Sequence, residues 1–168
     1  MRAMDGRGSE SPRLDAEHAA FIQGGVSVIV ATRDASLAPE VVRASGCRVS
    51  RDRRRVTVLL DPTRAERLLA NVAANSMLAV VFSQPSTHRT IQLKGSDAAS
   101  GTPGRRDRVL LAAQRSAWID DLRRIGYSRD FAEALWGPLP KALAAISFTP
   151  TAAFQQTPGP SAGQPIGR

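Results

Sequence analysis

"EVVRASGCRVSRDRRRVTVLLDPTRAERLLAN", residues 40–71, carries in one run the signals that decide the fold. Two segments rich in β-branched residues, Glu40–Ser50 and Val56–Leu60, flank a charged tip, Arg51–Arg55. That arrangement reads as two strands joined by a hairpin. Gly46 interrupts the first strand and is a candidate bulge. Beyond the second strand, Asp61 can cap a helix and Pro62 suits its first position. Leu68, Leu69 and Val72 then recur at the spacing of one apolar helix face.

Upstream, "VSVIVAT" (Val26–Thr32) is a β-branched run of buried-strand type. It follows a short helix in Leu14–Gly25, with Leu14, Ala19, Phe21 and Ile22 as apolar surface and Gly24-Gly25 as the stop. Downstream, Met77–Phe82 and Arg89–Gly95 are the fourth and fifth strands, and Ser96–Asp107 reads as a loop. A long amphipathic helix follows over Arg108–Gly126, with Leu110, Leu111, Ala117, Trp118 and Leu122 turned inward. A second helix is expected over Ser128–Gly137, capped by Ser128. Leu143–Pro150 is a late strand, with Ala152–Phe154 a candidate extension. Crossovers are too few for a doubly wound sheet. The expected architecture is mainly β, an antiparallel barrel with peripheral helices. Residues 1–13 read as a disordered tail, 14–155 as one domain whose helical segment 107–137 is either packing on the barrel, the favoured reading, or a substrate lid, and 156–168 as a Pro/Gly-rich tail.

The formal net charge is +8, which raises the question of an anionic partner. The only lysines are Lys94 and Lys141, so the charge is nearly all arginine. The arginines are scattered rather than striped along one element, and aromatics are only 5%. Both features argue against a nucleic-acid partner. A small anionic ligand needs only two or three well-placed arginines. Cys47 is the single cysteine, so no disulfide within the chain and no cysteine zinc site is expected. The N-terminal stretch lacks the apolar segment of a secretory signal, and no apolar run is long enough to span a bilayer. A cytoplasmic chain with no membrane partner is the expectation.

No nucleophile elbow, P-loop or dinucleotide fingerprint is present. Two histidines on different elements do not suggest a metal site, and His18 reads as a boundary residue of the first helix. An arginine pattern remains. Arg43 and Arg48 lie five apart in one strand. That separation sets them on opposite faces unless a bulge at Gly46 shifts the phase. Arg64 sits at the expected helix start, where free N–H groups favour a phosphate, and Thr63 adds a hydroxyl. The competing readings are a solvated strand face, or pairing with Glu40 and Asp52, for Arg43 and Arg48, and a helix-surface position near Glu66 for Arg64. Between the fourth and fifth strands, Ser86–Thr90 holds hydroxyls, His88 and Arg89. It is either a hairpin loop set by Pro85 or a bend facing a ligand.

The stretches "VVRASGCR", "VTVLLDPTRAERLLAN" and "LAVVFSQPSTHRTIQLKG" match, in order and spacing, the pyridoxamine 5'-phosphate oxidase-like family of FMN-binding split barrels. The resemblance spans about Ala19–Ser96 and, more loosely, the final strand and "QTPGP". It implies a split β-barrel and a homodimer holding FMN at the subunit interface. It also implies flavin-dependent oxidation or reduction of a small molecule. The family's two strand residues that reach FMN fall on Arg43 and Arg48. Its Ser-Arg-Lys is similar to Thr63-Arg64-Ala65, with the lysine absent. Its Asn-Arg-Gln is similar to His88-Arg89-Thr90, with Thr90 the shorter group. The resemblance therefore places Arg43, Arg48, Thr63, Arg64, Arg89 and Thr90 at the cofactor, and leaves His88 as the one candidate proton donor. The C-terminal arginine-x-histidine segment of the vitamin B6 oxidase is missing, which points to a different relative. F420 or haem are the alternative cofactors, with His88, Cys47 and His18 the candidate iron ligands. A non-catalytic flavin-binding or regulatory dimer is the alternative role. Substrate and electron donor are not legible.

Overall fold

Buried and half-buried residues alternate along Ser27–Arg33 and Leu78–Ser83, as strands with one face on a core require. All of Val56–Leu60 is buried, so that strand is covered on both sides. A computed structural model of the chain describes residues 14–166; the tail expected over 1–13 lies outside the described residues. The elements are α1 (Ala16–Ile22), β1 (Ser27–Arg33), β2 (Pro39–Ala44), β3 (Gly46–Val49), β4 (Val56–Leu60), α2 (Glu66–Asn75), β5 (Leu78–Ser83), β6 (Thr90–Gly95), β7 (Ala99–Gly101), α3 (Asp107–Arg124), α4 (Arg129–Trp136), β8 (Ala144–Phe148) and β9 (Ala152–Gln155). Two antiparallel sheets form a split barrel, one ordered β2-β1-β5-β6-β9 and the other β3-β4-β8-β7. Their inner faces share one core, in which Val28, Val30, Val80, Phe82, Ile91 and Leu93 of the first sheet meet Val56, Val58, Ile146 and Phe148 of the second. No helix among the described residues is long and apolar enough to cross a membrane.

Gly46 is not a bulge within one strand. The chain leaves the first sheet at Ala44, which pairs with Val28, and enters the second at Gly46, which pairs with Leu59. Arg43 and Arg48 therefore belong to different sheets. A side chain at Gly46 would collide with Leu111 and Gln114 of α3, so the switch point requires glycine for close approach. Gln114 completes this joint. Its Oε1 accepts from Cys47 N (3.1 Å), and its Nε2 donates to Cys47 O (2.7 Å) and Gln23 O (3.1 Å). The expected late strand also divides between sheets, as β8 and β9, and the expected loop after β6 contains β7.

Asp61 and Pro62 do not start a helix. Asp61 Oδ1 accepts from Thr63 N (3.0 Å) and Thr63 Oγ1 (2.7 Å), an Asx turn that delays α2 to Glu66. Buried Ala65 occupies the cap position without a side-chain bond. Asn71 and Asn75 then tie α2 to β1, donating to Thr32 Oγ1 (3.1 Å) and Arg33 O (2.7 Å). Asp15 caps α1 through His18 N (2.7 Å) and meets His18 Nδ1 at 2.8 Å, so His18 serves the helix start.

Leu111, Trp118 and Leu122 of α3 are buried as expected, whereas Leu110 is half-buried and Ala117 exposed. Gln114, Ile119 and Asp121 take their places, which rotates the inward stripe. The Pro/Gly-rich stretch after β9 folds back: Gln155 N donates to Gln164 O (2.9 Å), Ile166 N donates to Ala153 O (2.8 Å), and Ile166 packs on the core.

Cys47 is fully buried and its thiol donates to Ile22 O (3.0 Å). Burial pushes its pKa well above the ordinary thiol value. The native protein is expected to resist an aromatic disulfide reagent and to release one equivalent of thiol only on denaturation. Rapid labelling of the native chain would contradict this.

Candidate functional site

Three parts of the chain converge on one cavity of about 320 Å³, at the small end of ligand pockets. The end of β2 and the residue after it contribute Arg43 and Ser45, the Asx turn contributes Asp61 and Arg64, and the end of α4 with the α4–β8 connector contributes Trp136 to Lys141. The lining thus includes three cationic residues and one carboxylate. Asp61 stays ionised, because the Thr63 hydroxyl and backbone N–H hold its carboxyl below the usual range. The cavity lining keeps a net positive charge, which suits an anion with two negative charges.

Arg43 is placed by aromatic rings rather than by a carboxylate. Its guanidinium carbon lies 5.0 Å from the Trp118 ring centre and 4.8 Å from that of Trp136, and Nη1 donates to Leu135 O at 3.4 Å. The two rings pack on each other at 4.9 Å and 58°. Such contacts contribute about 0.5–2 kcal/mol and fix the plane of the guanidinium. Burial lowers the Arg43 pKa, but an arginine stays protonated at any ordinary pH. Trp118 Nε1 is buried without a hydrogen-bond partner. The loss, about 1–3 kcal/mol, is offset by the ring's packing on Arg43 and Trp136.

Arg43 and Arg64, expected to act together, are brought together. The other expected residues are placed elsewhere. Arg48 Nε donates to buried Asp107 at 3.2 Å, and Asp107 also accepts from Gly104 N at 2.6 Å. Arg48 so anchors the start of α3 and does not line the cavity. The Thr63 hydroxyl is taken up by Asp61. Arg89 Nη2 pairs with Glu17 at 2.9 Å and its guanidinium lies 4.3 Å from the Phe21 ring centre. Thr90 Oγ1 sits 2.8 Å from Ser83 Oγ and donates to His88 O at 3.0 Å, while Thr90 N donates to Thr157 Oγ1 at 3.0 Å. Exposed His88 has φ +57°, a left-handed turn position. Within one chain none of these borders the Arg43–Arg64 cavity, and no histidine or cysteine lines it.

The hydroxyl patch after β5 has a structural cause that the sequence reading missed. Buried Asp121 accepts from Gln84 Nε2 (2.9 Å), Ser86 N (2.9 Å) and Ser86 Oγ (2.6 Å). Ser86 is thus an anchor to α3. The signal was available: Gln114 and Asp121 fall on the helical stripe of Leu111, Trp118 and Leu122, where a polar residue must find a partner.

No family model matches the chain, and no curated protein matches it. Solved structures do. HupZ of Group A Streptococcus superposes with a TM-score of 0.53 at 18% identity, covering 89% of this chain and 99% of its own. A provisionally assigned pyridoxamine 5'-phosphate oxidase of Lactobacillus delbrueckii gives 0.52 at 16% identity, covering 84% and 93%. A protein named F420 reductase gives 0.51 at 17% identity, covering 83% and 98%. The fold of this chain is the split barrel of pyridoxamine 5'-phosphate oxidase-like proteins.

Proposed function

We propose that this split barrel is an FMN-binding flavoprotein, a small-molecule oxidoreductase other than the vitamin B6 oxidase, working as a homodimer with its cofactor at the subunit interface. The observation that carries the reading is the meeting of Arg43 and Arg64, from two different elements, in one net-positive cavity. Both can bind a phosphate through two N–H groups each, which fixes orientation as well as charge. FMN supplies hydride or electron transfer when bound; the chain binds, orients and shields it. Arg48 and Thr63 act at one remove, through Asp107 and Asp61. Arg89 and Thr90 serve the ring end across the dimer interface, with His88 the candidate proton donor beside them. Exposed apolar residues Leu37 and Val41, beside and on the edge strand β2, offer surface for a second copy.

F420 is the second reading, because it too carries a phosphate and a structural neighbour bears its name. Haem fits less well, since the cavity lining holds no histidine or cysteine. An absorption spectrum of the purified protein, alone and after FMN, F420 or haem is added and excess removed, tests all three. A flavin spectrum eluting with a dimer is the expected result. Retention of F420 alone would favour the second reading, and a colourless protein in every case would overturn the function.

A further inference from the structure

The connector between α4 and β8 is held by two arginines of α3 at three of its carbonyls. Arg115 Nε donates to Gly137 O at 3.2 Å, Arg108 Nη1 donates to Pro140 O at 3.0 Å, and Arg108 Nη2 donates to Lys141 O. Pro138 and Pro140 restrict the backbone between these anchors. The segment is therefore stiff, and it carries Lys141 to the cavity that Arg43 and Arg64 line. Among the described residues no carboxylate pairs with Lys141, unlike Arg48 and Arg89. Its charge is available to a ligand. With Lys141 the cavity sums to three cations against Asp61, which matches a phosphate monoester dianion.

We infer that Lys141, on the connector pinned by Arg108 and Arg115, is a third cationic contact to the anion held by Arg43 and Arg64 and sets the cavity's preference for a doubly charged phosphate monoester. This rests on the function proposed above. The site draws this charge from a distant segment, at a position in the fold that no short motif marks.

The test is titration of the full chain with FMN and riboflavin, followed by tryptophan and flavin fluorescence. Trp118 and Trp136 are the only tryptophans and both touch Arg43, so their emission reports on the cavity. Lys141→Met keeps an apolar stem and removes the charge. It should weaken FMN about tenfold or more without changing the melting temperature. Lys141→Arg should restore affinity to within a few-fold, and riboflavin should respond to neither change. If Lys141→Met binds FMN as the wild type does while Arg64→Ala does not, the inference is wrong and the proposed function stands. Equal loss of riboflavin and FMN, or no rescue by arginine, also overturns it. A wild-type chain that binds no FMN removes the function and the inference together.

Discussion

The Arg43→Ala, Arg64→Ala double variant should bind FMN at least about 100-fold more weakly than the wild type, with each single change costing roughly 10-fold or more. A hydrogen bond between charged groups contributes about 1.5–3 kcal/mol, and each 1.4 kcal/mol is a factor of ten. Because both residues face one cavity, their losses need not add. The two singles differ in side effects. Arg64 is exposed and its removal leaves the melting temperature unchanged. Arg43 lies against both tryptophans, so Arg43→Ala also costs about 0.5–2 kcal/mol of stability and shifts tryptophan emission. Fluorescence titration at fixed ionic strength measures the affinities, and riboflavin is the control that lacks the phosphate. If both single variants bind FMN like the wild type, the cavity is not the phosphate site.

Gly25→Ala should destabilise the fold by about 3 kcal/mol, lowering the melting temperature by roughly 6–12 °C. A Cβ at Gly25 would stand 2.5 Å from the Ala117 carbonyl carbon, 2.6 Å from its oxygen and 2.7 Å from Trp118 N. All three are backbone atoms of α3, so no rotamer change relieves the overlap. The helix itself must shift. That shift pulls Gln114 from Cys47 and displaces Trp118 from Arg43, so ligand affinity should fall together with stability. Gly101→Ala is the control, because nothing lies within 4 Å of a Cβ there; its effect should stay within about 0.5 kcal/mol. Thermal melts followed by circular dichroism read both. Gly25→Ala melting together with the wild type would mean that α3 does not press on this turn.

Much of the architecture is local and was readable as such. Strands announce themselves by β-branched runs, and α4 by Ser128, whose hydroxyl accepts from Phe131 N at 3.2 Å. The Asp61-Pro62 signal misled because two local devices compete there. The aspartate can cap a helix or close a turn on Thr63, and buried Ala65 settled the choice by fitting the core four residues later.

The chain's composition and its strand and helix periods were enough to define a mainly antiparallel barrel, and its arginines were enough to raise the question of an anion. These properties depend on neighbours in sequence, through side-chain direction and backbone preference. Which arginines stay free depends on partners distant in the chain. Asp107 captures Arg48, Glu17 captures Arg89, the two indoles of α3 and α4 steady Arg43, and a pinned connector brings Lys141 beside it. Charge and hydrogen bonds act through space over a few ångströms, so only the packed sheets and helices could sort arginines paired within the chain from those that line the cavity.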